Sequence, residues 1–209
     1  MTGSPFDASK LASLFAESEK RTFGGQPLRL TGAGIWLATP FDVLYSASRA
    51  LARLEVENGI PLTARVLDAG MGDGRLVASL VAEIPGITVF GIESHPELAD
   101  LAKSNLRRAS ESGLNGSWCV CQGDYLDEET YRKLGVPVRA IDAFFNYPDG
   151  NEERLGALLA KRGRAGALLV LLTPDHSARI NSLRHVIDIR LERAGGAPDW
   201  RLNVFRVPA

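Results

Sequence analysis

Val66-Leu67-Asp68-Ala69-Gly70-Met71-Gly72-Asp73-Gly74-Arg75-Leu76 is an apolar run that ends in a carboxylate and passes at once into three alternate glycines. The run reads as a β-strand and the apolar-periodic stretch after it, through Ile84, as a helix, so the glycines occupy a strand-to-helix turn. Glycine there permits positive φ and lets a ligand approach the main chain with no β-carbon in the way. In an open parallel sheet, the first such turn is the usual ligand contact.

Working outward, short apolar runs alternate with amphipathic stretches. "ITVFGIE" (87–93), "GSWCVCQGD" (116–124), "IDAFFNY" (141–147) and "AGALLVLLT" (165–173) read as further strands, with helices over "PELADLAKSNLRRAS" (96–110) and around "NEERLGALLAKR" (151–162). Strand and helix in repetition make a parallel sheet covered on both faces. The tail breaks that rhythm: "HVIDIRLER" (185–193) and "WRLNVFRV" (200–207) flank the turn-rich "AGGAPD" (194–199), a hairpin that sets one strand antiparallel. Before the sheet, Phe6, Leu11, Leu14 and Phe15 recur at helical spacing and a second helix is expected from Phe41 to Glu57. The expected organisation is an N-terminal helical cover or lid over 1–60 and a ligand-binding domain over 61–209, in one compact unit.

With 209 residues, 45% of them hydrophobic, and a formal charge of -1, the chain suits one domain with a sizeable core. The near-neutral balance supplies no basic field for nucleic acid or anionic membranes, so a nucleic-acid partner is not expected. No apolar run approaches the roughly 20 residues of a bilayer span, and the N-terminus lacks a basic start followed by an apolar stretch, so a cytoplasmic location is expected. Cys119 and Cys121 point to one face of a strand and read as buried thiols. A metal site would need further ligands that the three scattered histidines do not supply, and none is expected.

Charge narrows the ligand. The dinucleotide fingerprint G-x-G-x-x-G places a pyrophosphate at the turn, but Arg75 takes its third glycine position and Asp68 would repel the phosphates. S-adenosylmethionine brings a sulfonium and an ammonium instead, for which an acid is favourable. Glu93, ending the second strand, can accept from both ribose hydroxyls, and Asp124, at the next strand end, stands where the adenine edge would lie.

Taken together these features resemble the class I S-adenosylmethionine-dependent methyltransferases over residues 62–209. Asp68, Gly70, Gly72 and Gly74 match the glycine-rich first motif, Glu93 the ribose acid, Asp124 the adenine-proximal acid, and "DAFFNYP" the fourth strand. The resemblance implies a Rossmann-like, doubly wound α/β fold with a seven-stranded, mostly parallel sheet and an antiparallel terminal hairpin. "GIWLATPFDVL" followed by "DAGMGDGR" adds a short likeness to lysine methyltransferases of archaeal and mitochondrial type.

Methyl transfer is an in-line displacement that mainly needs a held, aligned nucleophile in a dry pocket. Asn146 and Tyr147 are the candidate acceptor-positioning residues. Amino-methyltransferases acting on bases or glutamine carry N/D-P-P-Y/F here, whereas this chain has Asn146-Tyr147-Pro148-Asp149, a departure that argues against those acceptors; the same residues also make a good turn. Asp149 reads as a base or as a cap of the following helix, and His176 as a base or an exposed loop residue. The expected activity is methylation of an amine or hydroxyl on a small molecule or protein. The alternatives are an aminopropyltransferase of spermidine-synthase type, whose paired aspartates Asp142 and Asp149 match poorly, and a non-catalytic cofactor-binding subunit.

Overall fold

The computed structural model describes residues 8–24, 28–31, 34–58, 65–174, 177–191 and 199–209. Its elements run α1 (Ala8–Phe23), β1 (Leu28–Thr31), β2 (Gly34–Leu37), α2 (Phe41–Asn58), β3 (Arg65–Ala69), α3 (Arg75–Glu83), β4 (Thr88–Glu93), α4 (Pro96–Glu111), β5 (Ser117–Gln122), α5 (Glu128–Leu134), β6 (Ala143–Asn146), α6 (Glu152–Arg162), β7 (Leu168–Pro174), β8 (Arg184–Leu191) and β9 (Trp200–Arg206). The large sheet has seven strands in the order β5-β4-β3-β6-β7-β9-β8. β5, β4, β3, β6 and β7 are parallel, and β9 enters antiparallel to both β7 and β8, as the terminal hairpin requires.

The central strands are apolar on both faces because helices cover both. Val66, Val89, Phe145, Val170 and Val204 pack with α1, α2, α3 and α4, while Leu67, Phe90, Phe144, Leu169 and Phe205 pack with α5 and α6. α1 and α2 belong to the first of these cores: Leu11, Phe15, Leu44, Leu51 and Leu54 are almost wholly inaccessible. Residues 177–183 between β7 and β8 form no helix; Ile180 and Leu183 close the second core there.

The β1–β2 hairpin and helix α5 were not anticipated. The reading of residues before 60 as helical is corrected by the β1–β2 hairpin, whose strands are only four residues each, too short to give a clear alternating signal. Helix α5 was also unread, although its ends are signposted: the Asp127 side chain accepts from Glu129 N–H at 3.0 Å and Gly135 closes it at φ 77°. The expected burial of both thiols is corrected as well. Cys119 is exposed and Cys121 half-buried, because β5 is the outermost strand and α5 covers it only in part. Among the described residues no helix is long and apolar enough to cross a membrane.

Strand order reverses at β3, with β4 and β5 on one side and β6 and β7 on the other, which opens a crevice beyond the carboxyl ends of β3 and β6. The turn into α3 is fixed by Gly74, at φ 85°, where an added Cβ would lie 3.2 Å from Ala102 Cβ on α4. Gly74→Ala is expected to destabilise the protein by about 2 kcal/mol in urea unfolding, from left-handed strain plus overpacking. Gly86→Ala, at φ 79° with nothing within 4 Å of the added Cβ, should show the smaller backbone cost alone.

Candidate functional site

The glycine turn is built to use its own amides. Gly70 and Met71 donate to Ile92 O at 2.9 and 3.0 Å, Gly74 donates to Met71 O at 3.0 Å, and Gly72 donates to Glu93 Oε2 at 2.9 Å. These four N–H groups are therefore spent within the protein and make no cradle for a pyrophosphate. Gly70, Gly72 and Gly74 all have positive φ, yet they face different things. Gly70 opens to the cleft, an added Cβ meeting nothing nearer than Tyr125 at 3.9 Å, whereas Gly72 lies under the indole of Trp36, whose Nε1 would stand 2.4 Å from a Cβ.

Asp68 and Glu93 line the same cleft, each less than a tenth exposed. Glu93 is well held, accepting His95 N–H at 2.8 Å as well as Gly72 N–H. Asp68 makes no hydrogen bond through its side chain among the described residues. Burial first, and then the charges of Glu93 and Asp73, push its carboxyl up to about 8. A buried acid beside other carboxylates in a cleft is a place where a bound positive charge is favourable.

The end of β6 supplies the opposite wall. Asn146 is 1% exposed; its Nδ2 donates to Ala69 O at 2.8 Å, while its Oδ1 is buried with no hydrogen-bond partner. Tyr147 also lines the cleft, its ring 6.0 Å from that of Trp200, with burial raising its phenol. Asp149 accepts the Tyr125 hydroxyl and the Asn151 N–H, so it secures the loop into α6 from the cleft rim.

Other sequence-predicted residues lie elsewhere. Asp124 is exposed outside the cleft lining and accepts Leu126 N–H at 2.8 Å, while its neighbour Tyr125 enters the cleft. Asp142 sits at the opposite end of β6, paired with Arg164 at 2.6 Å, so it forms no aspartate pair with Asp149. His176 lies outside the described residues. His185 contacts Asp188 Oδ1 at 2.8 Å at the far edge of the sheet.

The residue that sequence reasoning undervalued is Arg75. Its guanidinium donates to both Asp73 carboxylate oxygens at 2.9 and 2.7 Å, to Thr39 O at 3.1 Å and to Glu19. The rings of Phe15, Trp36 and Phe41 have centroids 5.9, 5.7 and 5.6 Å from its central carbon. Asp73-x-Arg75 among the glycines, following an N-terminal segment that carries Phe15, Trp36 and Phe41, was the available signal, but the partners of Arg75 in that segment are 34 to 60 residues away in the chain.

A seven-stranded sheet in this order, a glycine turn after its central strand and an acid at the tip of the next define one fold. The fold is that of the class I S-adenosylmethionine-dependent methyltransferases. A putative O-methyltransferase from Klebsiella pneumoniae shares this methyltransferase fold at TM-score 0.61 and 18% identity, over 100% of this chain and 92% of that one. An RNA methyltransferase from Salinibacter ruber, solved with S-adenosyl-L-homocysteine, aligns at TM-score 0.51 and 19% identity, over 77% of this chain and 91% of that one. Sequence similarity reaches the release factor glutamine methyltransferase of Vibrio cholerae, 28% identical over 117 residues, covering 52% of this chain and 41% of the relative. The similarity spans between 41% and 60% of the lengths of the curated relatives it matches. No protein-family model matches. Because RNA methyltransferases share the fold, the expectation against nucleic acid drawn from net charge has no support from it.

Two expectations test the site's energetics. Folded Asp68 holds its proton to about pH 8, whereas an unfolded aspartate loses it near pH 4. The folded protein thus binds more protons over that range, so stability falls as pH rises from about 4 to about 8. Asp68→Asn should flatten that fall, stabilising the ligand-free protein at pH 8 more than at pH 5 in urea unfolding. Arg75→Met leaves Asp73 and Glu19 without their cation and is expected to cost about 3 kcal/mol or more by the same measurement.

Proposed function

We propose that this protein binds S-adenosylmethionine across the turn between β3 and α3 and transfers its methyl group to the nitrogen of an amine acceptor held at the end of β6. The observation that carries the reading is the unpartnered Oδ1 of Asn146, a buried acceptor in a cleft-lining side chain. A buried carbonyl oxygen left unsatisfied costs about 1–3 kcal/mol, a cost that a substrate N–H removes on binding. By accepting that hydrogen, Oδ1 turns the nitrogen lone pair toward the methyl carbon, the alignment on which in-line displacement depends. The lone pair forms the new C–N bond, the sulfur keeps the electrons of the old one, and the nitrogen then releases a proton, for which Asp149 at the cleft rim is the available carboxylate.

The cleft's charge supports both halves of this reading. Asp68, Asp73, Glu93 and Asp149 line it, and the one arginine, Arg75, has its guanidinium committed to Asp73, Glu19 and Thr39. The resulting negative field favours a sulfonium, an ammonium and an amine, and Asp68 adds its own charge to it when a bound cation lets it release its proton. Within it we assign Asp68 to the positive charge of the cofactor, Gly70 to its close approach, Gly72 to the cofactor seat through the Trp36 indole that its bare backbone admits, Gly74 to the shape of the turn and Glu93 to the ribose hydroxyls, while Asp124, outside the cleft lining, reaches the adenine edge only if the base extends beyond that lining. Asn146 and Tyr147 position the acceptor. Aminopropyl transfer is disfavoured by the placement of Asp142, and a purely binding role would leave Asn146 Oδ1 without a partner.

Calorimetry should detect S-adenosylmethionine and S-adenosylhomocysteine but not NAD; NAD binding with neither sulfur ligand would overturn the reading. Methyl-labelled cofactor incubated with protein, metabolite and RNA fractions then identifies the carrier of the nitrogen. With that acceptor in hand, Asn146→Ala is expected to lower turnover by about 10-fold or more while S-adenosylhomocysteine affinity stays within a few-fold. Unchanged turnover per cofactor-bound enzyme would exclude the role of Asn146.

A further inference from the structure

The β1–β2 hairpin delivers a single described side chain to the cleft, Trp36, and its position is tightly determined. Its ring borders Gly72, where any β-carbon would collide with Nε1 at 2.4 Å and Cδ1 at 2.8 Å, so the bare backbone at Gly72 is what admits the indole. A further neighbour is the Arg75 guanidinium, 5.7 Å from the ring centroid. Arg75 is itself fixed by Asp73, Thr39 and Glu19, so the indole rests on a rigid support. Trp36 is nonetheless only partly buried, and it lines the cleft together with Asp68, Gly70, Tyr125 and Asn146. An aromatic ring that is packed on two sides and open to a cleft on another is a preformed wall for whatever fills the cleft.

We propose that Trp36 is a ligand-contacting residue of the cofactor seat: its indole forms the wall that faces the ligand at Gly72, held in place by Arg75. The inference rests on the cofactor reading above and adds a contact from the N-terminal segment to the glycine turn and the strand-end acids. It also assigns the β1–β2 hairpin a task, since the hairpin carries the ring to a turn that lies 36 residues further along the chain.

The test uses the full chain labelled with 5-fluorotryptophan, which gives three fluorine resonances because the protein has three tryptophans. Trp36→Phe assigns the resonance of interest. Titration with S-adenosylhomocysteine should shift the Trp36 resonance in step with calorimetric saturation, while Trp118, on the edge strand β5 with its Nε1 bonded to Ser110, stays in place. Trp36→Ala is expected to weaken S-adenosylhomocysteine about 10-fold or more, and Trp36→Phe by no more than about 3-fold. Calorimetric binding with an unmoved Trp36 resonance overturns the inference while leaving the cofactor reading intact. Absence of any binding heat for the parent protein overturns the cofactor reading itself. If Trp36→Ala fails to fold, the resonance shift decides alone.

Discussion

Arg75 carries a cation that the glycine turn, the first helix and the hairpin all share. It follows directly on Gly74, so its backbone belongs to the turn, while its side chain reaches Asp73, Glu19 on α1, Thr39 ahead of α2, and the rings of Phe15, Trp36 and Phe41. A guanidinium this far from water is tolerable only when its planar donors are matched and its faces are covered. Both conditions are met here by residues drawn from α1 through the start of α3. The N-terminal segment is therefore tied to the glycine turn through a polar centre as well as through the apolar core of Phe15, Leu44 and Leu51.

That tie explains why the cleft has the walls it has. Its floor comes from the switch point of the sheet, where β3 and β6 end side by side with Ala69 opposite Asn146. Several acids gather at that floor, and among them Asp68 is pushed toward protonation by burial and by the charges of Glu93 and Asp73. Trp36, which the Arg75 centre holds against the turn, adds a further part of the cleft's wall. Polar groups left unsatisfied in an otherwise well-bonded interior mark where a ligand completes the structure. Asn146 Oδ1 is such a group, and it shares its cleft with the buried carboxyl of Asp68.

Much of the architecture was legible because it rests on local periodicity. The strand runs around Val66–Ala69, Phe144–Asn146 and Leu168–Leu172 are apolar on both faces, as a doubly covered sheet demands, and the tail's two strand-like runs around a turn required an antiparallel insertion. Gly70, Gly72, Gly74 and Glu93 could be read because a backbone turn and a strand tip impose residue types a few positions apart. The hairpin β1–β2 was not legible, its strands being too short for their alternation to rise above composition. Nor was the exposure of Cys119, which follows from β5 being the edge strand, a matter of strand order rather than of local sequence.

By itself, then, the chain's sequence determined the α/β class, the glycine turn and the acids at the strand ends, since each depends on neighbours in the chain. Only tertiary structure decided that Asp124 stands outside the cleft while Tyr125 enters it, that Asn146 keeps an unpartnered oxygen, and that Arg75 gathers Glu19, Trp36 and Phe41 around the turn. Hydrogen bonding, burial and the field at a carboxylate are set by atoms brought together from distant positions, and no local pattern of residues encodes which of them will meet.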